Sequence, residues 1–168
     1  MFEKMDPKAL ADNVFSMIGD QWMLITAGTG DSCNTMTASW GGLGVIWNKN
    51  VATCYIRPQR YTREFVDRED TFTLAFFGEE YRKALALCGA KSGRDIDKVK
   101  ECGFTVAATE SGAPYFAEAD LVLVCKKLYV GDIDPDGFMD TALCEKNYPN
   151  KDYHKMYIGE IVEVLKKV

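Results

Sequence analysis

The sequence has little of what metal centres and catalytic dyads need, because it contains a single histidine, His154. None of its six cysteines stands in a C-x-x-C pair, so the paired spacings of structural zinc sites are missing and we predict no metal site. A Cys–His nucleophile would need a thiol within hydrogen-bond reach of His154, and no sequence pattern indicates one. We therefore interpret the cysteines as small buried hydrophobes.

Long hydrophobic runs are also missing. The amino terminus, MFEKMDPKALADN, carries charges where a signal peptide would have an apolar core. We accordingly expect a cytoplasmic protein that is neither exported nor inserted in a membrane. Basic residues are not in excess either, since the formal net charge is -5, which argues against a surface that binds nucleic acid.

Nucleotide-binding signatures are a third absence. No G-x-G-x-x-G follows a predicted strand to open a helix, which disfavours a Rossmann dinucleotide site, and no G-x-x-x-x-G-K occurs, which disfavours a triphosphate-binding loop. Any nicotinamide site must therefore have another design. The chain of 168 residues has no linker rich in Pro, Gly or Ser, so we expect one domain over residues 1–168.

Short apolar runs separated by turn residues predict a mainly β fold. The predicted strands cover residues 22–27, 35–40, 43–47, 51–56, 71–77, 104–109, 115–116, 121–130 and 157–165. The predicted helices cover residues 9–18, 62–68, 79–88 and 95–102, with Thr62 as the N-cap of the second and a glycine after each of the other three. Many short strands without a βαβ alternation favour an antiparallel barrel over a doubly wound sheet.

The first candidate site is the segment N-T-M-T-A-S-W-G-G, residues 34–42. Hydroxyl side chains and glycines at a strand end expose backbone N–H groups that suit the polar edge of a planar cofactor, and Trp40 could stack on its ring. A plain β-turn with a core tryptophan explains the same residues, because glycine-rich turns are common. On these residues alone both interpretations stay open.

The second candidate site is R-P-Q-R-Y-T-R, residues 57–63. Pro58 cannot continue a central strand, so we expect the chain to leave the sheet there. Three arginines and a hydroxyl at a strand-to-helix junction offer forked donors and a helix N-terminus to a phosphate dianion. The alternative is a solvated turn whose arginines pair with Glu64, Asp67 and Glu69, since exposed arginine clusters often bind no anion.

Two further segments carry candidate residues. Residues 91–98, K-S-G-R-D-I-D-K, form a loop rich in donors before a predicted helix and suit an anion. His154 lies in D-Y-H-K-M-Y, residues 152–157. A single histidine is more often structural than catalytic, although it is the side chain whose ordinary pKa lies nearest neutrality.

Four patterns in this order and spacing resemble those of the flavin reductase-like FMN-binding split-barrel family, most closely its flavoredoxin-like branch. They are N-x-M-T-A-S-W-G-G, I-R-P-x-R-Y-T-R-E-F, S-G-R-D-x-D-K and D-x-H-x-x-Y-I-G-E-I. The resemblance extends from about Asp6 to the C-terminus. It implies a six-stranded antiparallel Greek-key barrel with added helices, and a homodimer whose FMN sites lie near the subunit interface.

The resemblance also implies roles for the matched residues. The isoalloxazine ring and ribityl chain would be lined by Thr35, Met36, Thr37, Ala38, Ser39 and Trp40, with Thr53, Cys54 and Tyr55 on the strand facing the ring. The phosphate would be held by Arg57, Tyr61 and Thr62. The ribityl and phosphate end of FMN would also be reached by Lys91, Ser92, Gly93 and Asp95. His154 would lie near the flavin or the nicotinamide.

Members of the family differ in what they do with the flavin. The leading hypothesis is an NAD(P)H:flavin oxidoreductase, in which hydride passes between NADH or NADPH and FMN while backbone N–H groups of residues 36–40 stabilise charge on the ring. One alternative is a flavoredoxin-like electron carrier with tightly bound FMN, a protein redox partner and no nicotinamide site. Another is a flavin-sensing module without turnover.

Overall fold

The computed structural model describes all residues, 1–168, and its main sheet has eight strands. These strands are β1 (Phe2–Met5), β2 (Met23–Gly28), β3 (Cys33–Ala38), β4 (Gly41–Ile46), β5 (Lys49–Ile56), β6 (Thr71–Phe76), β9 (Leu121–Asp132) and β10 (Lys155–Lys167). A separate pair is formed by β7 (Val106–Ala108) and β8 (Pro114–Phe116). All pairings are antiparallel, in the order β3-β2-β6-β9-β10-β5-β4, with β1 added to β10.

The helices are short and lie around this sheet. They are α1 (Val14–Ser16), which continues as one π-helical turn (Met17–Gln21), α2 (Thr62–Arg68), α3 (Arg82–Ala90), α4 (Lys98–Cys102) and α5 (Thr141–Asn147). Single 3-10 turns cover Pro7–Ala9, Glu79–Tyr81 and Pro135–Gly137. None of the helices is long and apolar enough to cross a membrane.

The strand β10 organises the sheet, because it pairs with β1, β5 and β9. The backbone of its Gly159 lies close against the core: a Cβ there would lie 2.8 Å from Cβ of Cys125 and 2.9 Å from the ring of Phe72. The register between β9 and β10 shifts beside this glycine, between Ile158 and Gly159. Glycine therefore allows the tight packing of β10 onto the apolar core.

The two edge strands of the main sheet, β3 and β4, follow each other in the sequence and are joined by Ser39 and Trp40. The chain crosses directly from one edge of the sheet to the other. Gly41 starts β4 at a position where a Cβ would lie only 2.7 Å from the carbonyl oxygen of Thr53, so a larger residue would disturb the pairing of β4 with β5. The candidate site lies around this crossing.

The prediction of a mainly β, antiparallel fold is confirmed, and the strand count is the main difference. The main sheet contains eight strands instead of six. β1 pairs with the C-terminal end of β10, and β4 pairs with β5 along its whole length. Gly41 and Gly42, which separate two of the predicted strands, lie inside β4. The end of β5 at Ile56, just before Arg57 and Pro58, agrees with the sequence.

Four helix predictions need correction. The helix expected over residues 79–88 begins as a single 3-10 turn, and α3 continues past Gly89 to Ala90. The helix expected over residues 9–18 is interrupted, because Asn13 caps a new helix by accepting hydrogen bonds from the backbone N–H groups of Phe15 and Ser16. Thr62 is the first residue of α2 and not its N-cap, since its hydroxyl binds Asn34 instead of a backbone N–H group. The helix expected over residues 95–102 begins later, at Lys98, where Asp97 caps it.

Candidate functional site

A cavity of about 580 Å³ opens between the end of β5, the start of α2, the loop after α3 and the segment that precedes β10. We call it the cationic cavity. Its charged lining residues are five cations and one carboxylate, namely Arg57, Arg60, Lys91, Lys98, Lys146 and Asp152. In a protein with a formal net charge of -5, this local excess of positive charge indicates a site for an anion.

Lys98 is the most unusual member of the cationic cavity, because only 5% of it is exposed. Its Nζ lies 2.8 Å from the carbonyl oxygen of Thr35 and 2.8 Å from that of Cys88, and it makes no ion pair. Burial lowers the pKa of Lys98. A buried ammonium group without a carboxylate partner is costly, and an anion in the cavity would offset that cost.

Arg60 and Thr62 present further donors in the cationic cavity. The Arg60 guanidinium donates from Nη1 to the carbonyl oxygen of Gly89 at 2.6 Å, and burial together with the nearby Arg57 charge lowers the pKa of Arg60. The buried hydroxyl of Thr62 accepts from Nδ2 of Asn34 at 3.0 Å. Since Thr62 is the acceptor in that bond, its own proton is left to donate to a ligand.

Arg57 differs from Arg60 and Lys98 because it has a carboxylate partner within the protein. Its Nη1 lies 2.7 Å from Oδ2 of Asp152, its Nη2 donates to the carbonyl oxygen of Asn147 at 2.9 Å, and its guanidinium lies 5.1 Å from the ring centre of Tyr148. Hydrogen bonds from Gln59 and Arg57 lower the pKa of Asp152, so the carboxylate stays charged. Arg57 thus joins β5 to the segment before β10, and its charge is already matched.

A second cavity, of about 180 Å³, adjoins the cationic cavity and shares Met36, Arg57 and Arg60 with it. We call it the ring cavity. Its remaining lining comes from the end of β3 and its crossing to β4, from the end of β5 and from the residue before β10: Thr37, Ala38, Ser39, Trp40, Tyr55 and His154. The residues from three separate sequence motifs therefore meet around one small space.

The backbone of β3 also faces outward here. β3 is an edge strand, so alternate residues turn both their N–H and their C=O away from β2. The carbonyl oxygen of Thr35 accepts from Lys98, which identifies Thr35 as one outward-facing residue and Thr37 as the next. Thr37 lines the ring cavity, so its N–H group is a donor directed to that side of the sheet.

His154 is held between two aromatic residues. Its Nδ1 lies 2.9 Å from the hydroxyl of Tyr148, and its ring centre lies 5.0 Å from that of Trp40. Burial, reinforced by the positive charge of Arg57, lowers the pKa of His154 to about 4. The imidazole is therefore neutral at physiological pH. Burial also raises the pKa of Tyr148, so its hydroxyl keeps its proton.

A third cavity, of about 790 Å³, lies on the other side of Trp40 and shares Ser39, Trp40 and Tyr55 with the ring cavity. We call it the apolar cavity. Its walls come from α1 and the turn after it, from β4, and from α5 with its flanking residues: Val14, Phe15, Ile18, Leu43, Ile133, Phe138, Leu143 and Tyr148. No charged side chain lines it. Such a space suits an uncharged, flat molecule or part of one.

Most of the predicted site residues lie around these cavities, and four do not. The cationic cavity contains Tyr61, Thr62, Lys91, Ser92 and Gly93, besides Arg57. Cys54 is fully buried in the core, and Thr53 lines none of the three cavities. The hydroxyl of Thr35 is buried against Thr26 and the carbonyl oxygen of Ile25, and Asp95 lines a separate surface pocket.

Arg60, Lys98 and Tyr148 were missing from the predicted site. Arg60 and Lys98 belong to the two motifs rich in donors, so the motifs carried the signal, although no sequence pattern distinguishes a buried cation from a solvated one. Tyr148 has no signal in the sequence. Its position depends on α5, which brings it against His154 and Arg57.

Comparison with solved structures finds proteins of the same fold. The FMN-binding domain of a flavin reductase-like enzyme from Shewanella baltica OS155 matches with a TM-score of 0.71 at 16% identity, over 99% of this chain and 77% of that one. The flavoredoxin of Desulfovibrio vulgaris (Miyazaki F) matches with a TM-score of 0.69 at 22% identity, over 97% of this chain and 77% of that one.

An NADH:FAD oxidoreductase from Streptomyces globisporus C-1027, solved with NAD and FAD fragments, matches with a TM-score of 0.64 at 17% identity, over 88% of this chain and 74% of that one. These likenesses show that the chain has the split-barrel fold of FMN-binding proteins. A comparison with curated protein sequences found no match. The family model of the flavin reductase like domain matches residues 15–167, and the chain therefore belongs to that family.

Proposed function

We propose that the protein binds FMN and acts as an NAD(P)H:flavin oxidoreductase. One observation carries the proposal: a cavity with five cations and one carboxylate adjoins a small cavity lined by Trp40, Tyr55, His154 and the edge of β3. FMN joins a dianionic phosphate to a planar ring by a polar chain. The cationic cavity suits the phosphate, and the ring cavity suits the planar ring.

The residues present fit the phosphate of FMN. Lys98 and Arg60 lack carboxylate partners, so they would supply the positive charge, and the Thr62 hydroxyl would donate a neutral hydrogen bond. Ser92 and Gly93 line the same cavity from the loop after α3. Arg57, already paired with Asp152, would contribute mainly by holding the walls in position.

The residues of the ring cavity would bind and orient the flavin ring. Bound FMN would supply the hydride-accepting ring, and the N–H group of Thr37 would be a preorganised donor for negative charge on it. A Tyr148 hydroxyl that donates to Nδ1 would leave the His154 proton on Nε2, so that the uncharged imidazole would be a donor. No side-chain base is needed for hydride transfer, which agrees with a lining of donors and hydroxyls.

The apolar cavity is the place where we expect the nicotinamide ring to approach, because it meets the ring cavity at Ser39, Trp40 and Tyr55. Its lack of charged side chains favours a second candidate, the flavoredoxin-like carrier, since nothing there would hold the diphosphate of a dinucleotide. In that case a protein partner would deliver the electrons.

Anaerobic addition of NADH or NADPH to the FMN-loaded protein distinguishes the two candidates. Rapid bleaching of the flavin absorbance supports the oxidoreductase. Slow bleaching with both donors, combined with fast reduction by a partner protein, supports the carrier. A protein that binds no FMN would contradict both candidates.

A second copy of the chain is part of the proposal. Val45, Ile46 and Trp47 at the end of the β4–β5 hairpin are exposed, and so are Leu128, Tyr129 and Val130 on β9. The rings of Trp47 and Tyr129 lie 6.3 Å apart, so the two groups form one apolar surface. A homodimer that buries this surface would remove it from water.

A further inference from the structure

Two cysteines lie together beside the cationic cavity. Sγ of Cys88 on α3 lies 3.6 Å from Sγ of Cys102 on α4. Both thiols are free, Cys88 is fully buried and Cys102 is partly exposed. Cys102 also points toward α3, since its Sγ lies 3.7 Å from the carbonyl oxygen of Ala84. The pair therefore bridges the two helices.

The same helices hold the loop that lines the cationic cavity. This loop joins Ala90, the last residue of α3, to Lys98, the first residue of α4, and both residues line the cavity. The carbonyl oxygen of Cys88 accepts a 2.8 Å hydrogen bond from Nζ of Lys98. Cys88 thus contacts Cys102 through its side chain and Lys98 through its backbone.

We propose that Cys88 and Cys102 form a reversible disulfide on exposure to a small-molecule disulfide such as oxidised glutathione, and that this bond weakens phosphate binding in the cationic cavity. A disulfide has an S–S distance of about 2.05 Å, so the sulfurs must approach by about 1.5 Å. Rotation of the side chains with a small shift of α4, which is only five residues long, provides this movement.

The disulfide would form by two successive thiol–disulfide exchanges. The thiolate of Cys102 attacks one sulfur of the small disulfide, which releases one thiol and leaves a mixed disulfide on Cys102. The thiolate of Cys88 then attacks the Cys102 sulfur and releases the second thiol. The two cysteines together lose two protons and two electrons, and the small disulfide gains them.

The order of attack follows from exposure. Burial raises the pKa of both thiols, that of Cys88 to about 12. The partly exposed Cys102 therefore meets the oxidant, and Cys88 acts as the resolving thiol, which has only to reach its neighbour. Reaction is expected in minutes to hours at neutral pH and not in seconds, since the thiolate fractions are small.

The effect on the cavity rests on the proposed function. Drawing α4 toward α3 moves the backbone that carries Lys98 relative to the carbonyl oxygen of Cys88, so the ammonium group loses its present position. We expect the affinity for FMN to fall about tenfold, as for the loss of one charge-assisted hydrogen bond, and the affinity for riboflavin to change little.

The test uses the full chain incubated with oxidised glutathione. Intact mass should fall by two hydrogen atoms, peptide mapping should join Cys88 to Cys102, and a reducing thiol should reverse both changes. Cys88→Ser should retain a mixed disulfide on Cys102, Cys102→Ser should not react at this pair, and Cys144→Ser, on α5, should behave like the wild type.

Two results with the wild-type protein alone would overturn the proposal: a mixed disulfide that persists on Cys102, or no reaction at Cys88 and Cys102. An internal disulfide that leaves the affinity for FMN unchanged would overturn its effect on the cavity. If the reduced protein binds no FMN, the proposed function fails, whereas the mass measurement still decides whether the disulfide forms.

Discussion

The carboxylate of Asp152 lies 2.7 Å from the guanidinium of Arg57, and this ion pair joins the end of β5 to the segment that carries His154. Both partners are mostly buried, and Arg57 also binds the carbonyl oxygen of Asn147 and lies over the ring of Tyr148. Arg57 therefore shapes the wall shared by the cationic and ring cavities.

Arg57→Ala should consequently weaken binding of both FMN and riboflavin, by similar factors. The phosphate is not the only group affected, because the wall that carries Tyr148 and His154 loses its anchor. Calorimetric titration of both ligands checks this. A loss confined to FMN would show that Arg57 binds the phosphate directly, as the sequence resemblance implies.

His154→Ala should slow reduction of bound FMN by NADH more than it weakens FMN binding, because His154 lines the ring cavity and leaves the phosphate-binding cations of the cationic cavity in place. Stopped-flow reduction and an FMN titration measure the two effects. Tyr148→Phe is the matched control, since it removes the hydroxyl bonded to Nδ1 but keeps the imidazole. Equal losses of affinity and rate in His154→Ala would make the residue structural.

Stability should fall as the pH decreases from about 6.5 toward 4, because His154 has its ordinary pKa in the unfolded chain and a pKa of about 4 in the folded one. Within this window the unfolded state binds a proton that the folded state does not bind, so acid favours unfolding. Above pH 6.5 the neutral His154 makes its full contribution to the free energy of unfolding. Below pH 4 this contribution, about 3 kcal/mol, is lost.

Urea unfolding at pH 7 and pH 5 measures this effect, since few carboxylates titrate between these values. In His154→Gln, which cannot take up a proton, the difference between the two pH values should shrink. A difference as large as in the wild type would show that other groups cause the acid sensitivity.

Trp47→Glu should convert the proposed dimer to monomer, because it places a charge in the apolar surface formed with Tyr129. Sedimentation velocity at micromolar concentration gives the result. Val162→Glu is a suitable control, since Val162 is also exposed but lies on β10, outside the defined surface. A wild-type protein that sediments as a monomer with FMN bound would contradict the dimer.

The sequence predicted the fold better than the details of the site. Short apolar runs bounded by turn residues identify β2, β5, β6, β9 and β10 because these strands bury one or both faces. β1 was not predicted, since its four residues have a half-exposed pattern and are held by pairing with the far end of β10. Such a long-range pairing has no local signal.

The candidate site was predicted at the level of motifs but not of side chains. Arg57 looked like a free phosphate ligand because its partner, Asp152, is distant in sequence and the two meet only through the pairing of β5 with β10. Lys98 was predicted only as the last residue of a donor-rich segment and was not named as a site residue, yet α4 buries it against β3. Tertiary contacts decide which of several similar cations is left without a carboxylate partner.

Arg60→Gln tests whether the phosphate of FMN binds to the cations of the cationic cavity. Its control is Arg63→Gln, on the same helix-forming segment, because Arg63 pairs with Asp67 and does not line the cavity. FMN and riboflavin, which lacks the phosphate, should be titrated against both variants and the wild type.

Arg60→Gln should weaken FMN binding by about 1.5–3 kcal/mol, or about ten- to a hundredfold, with little effect on riboflavin, and Arg63→Gln should change neither. Unchanged FMN affinity in Arg60→Gln, or an equal loss for FMN and riboflavin, would show that Arg60 does not bind the phosphate.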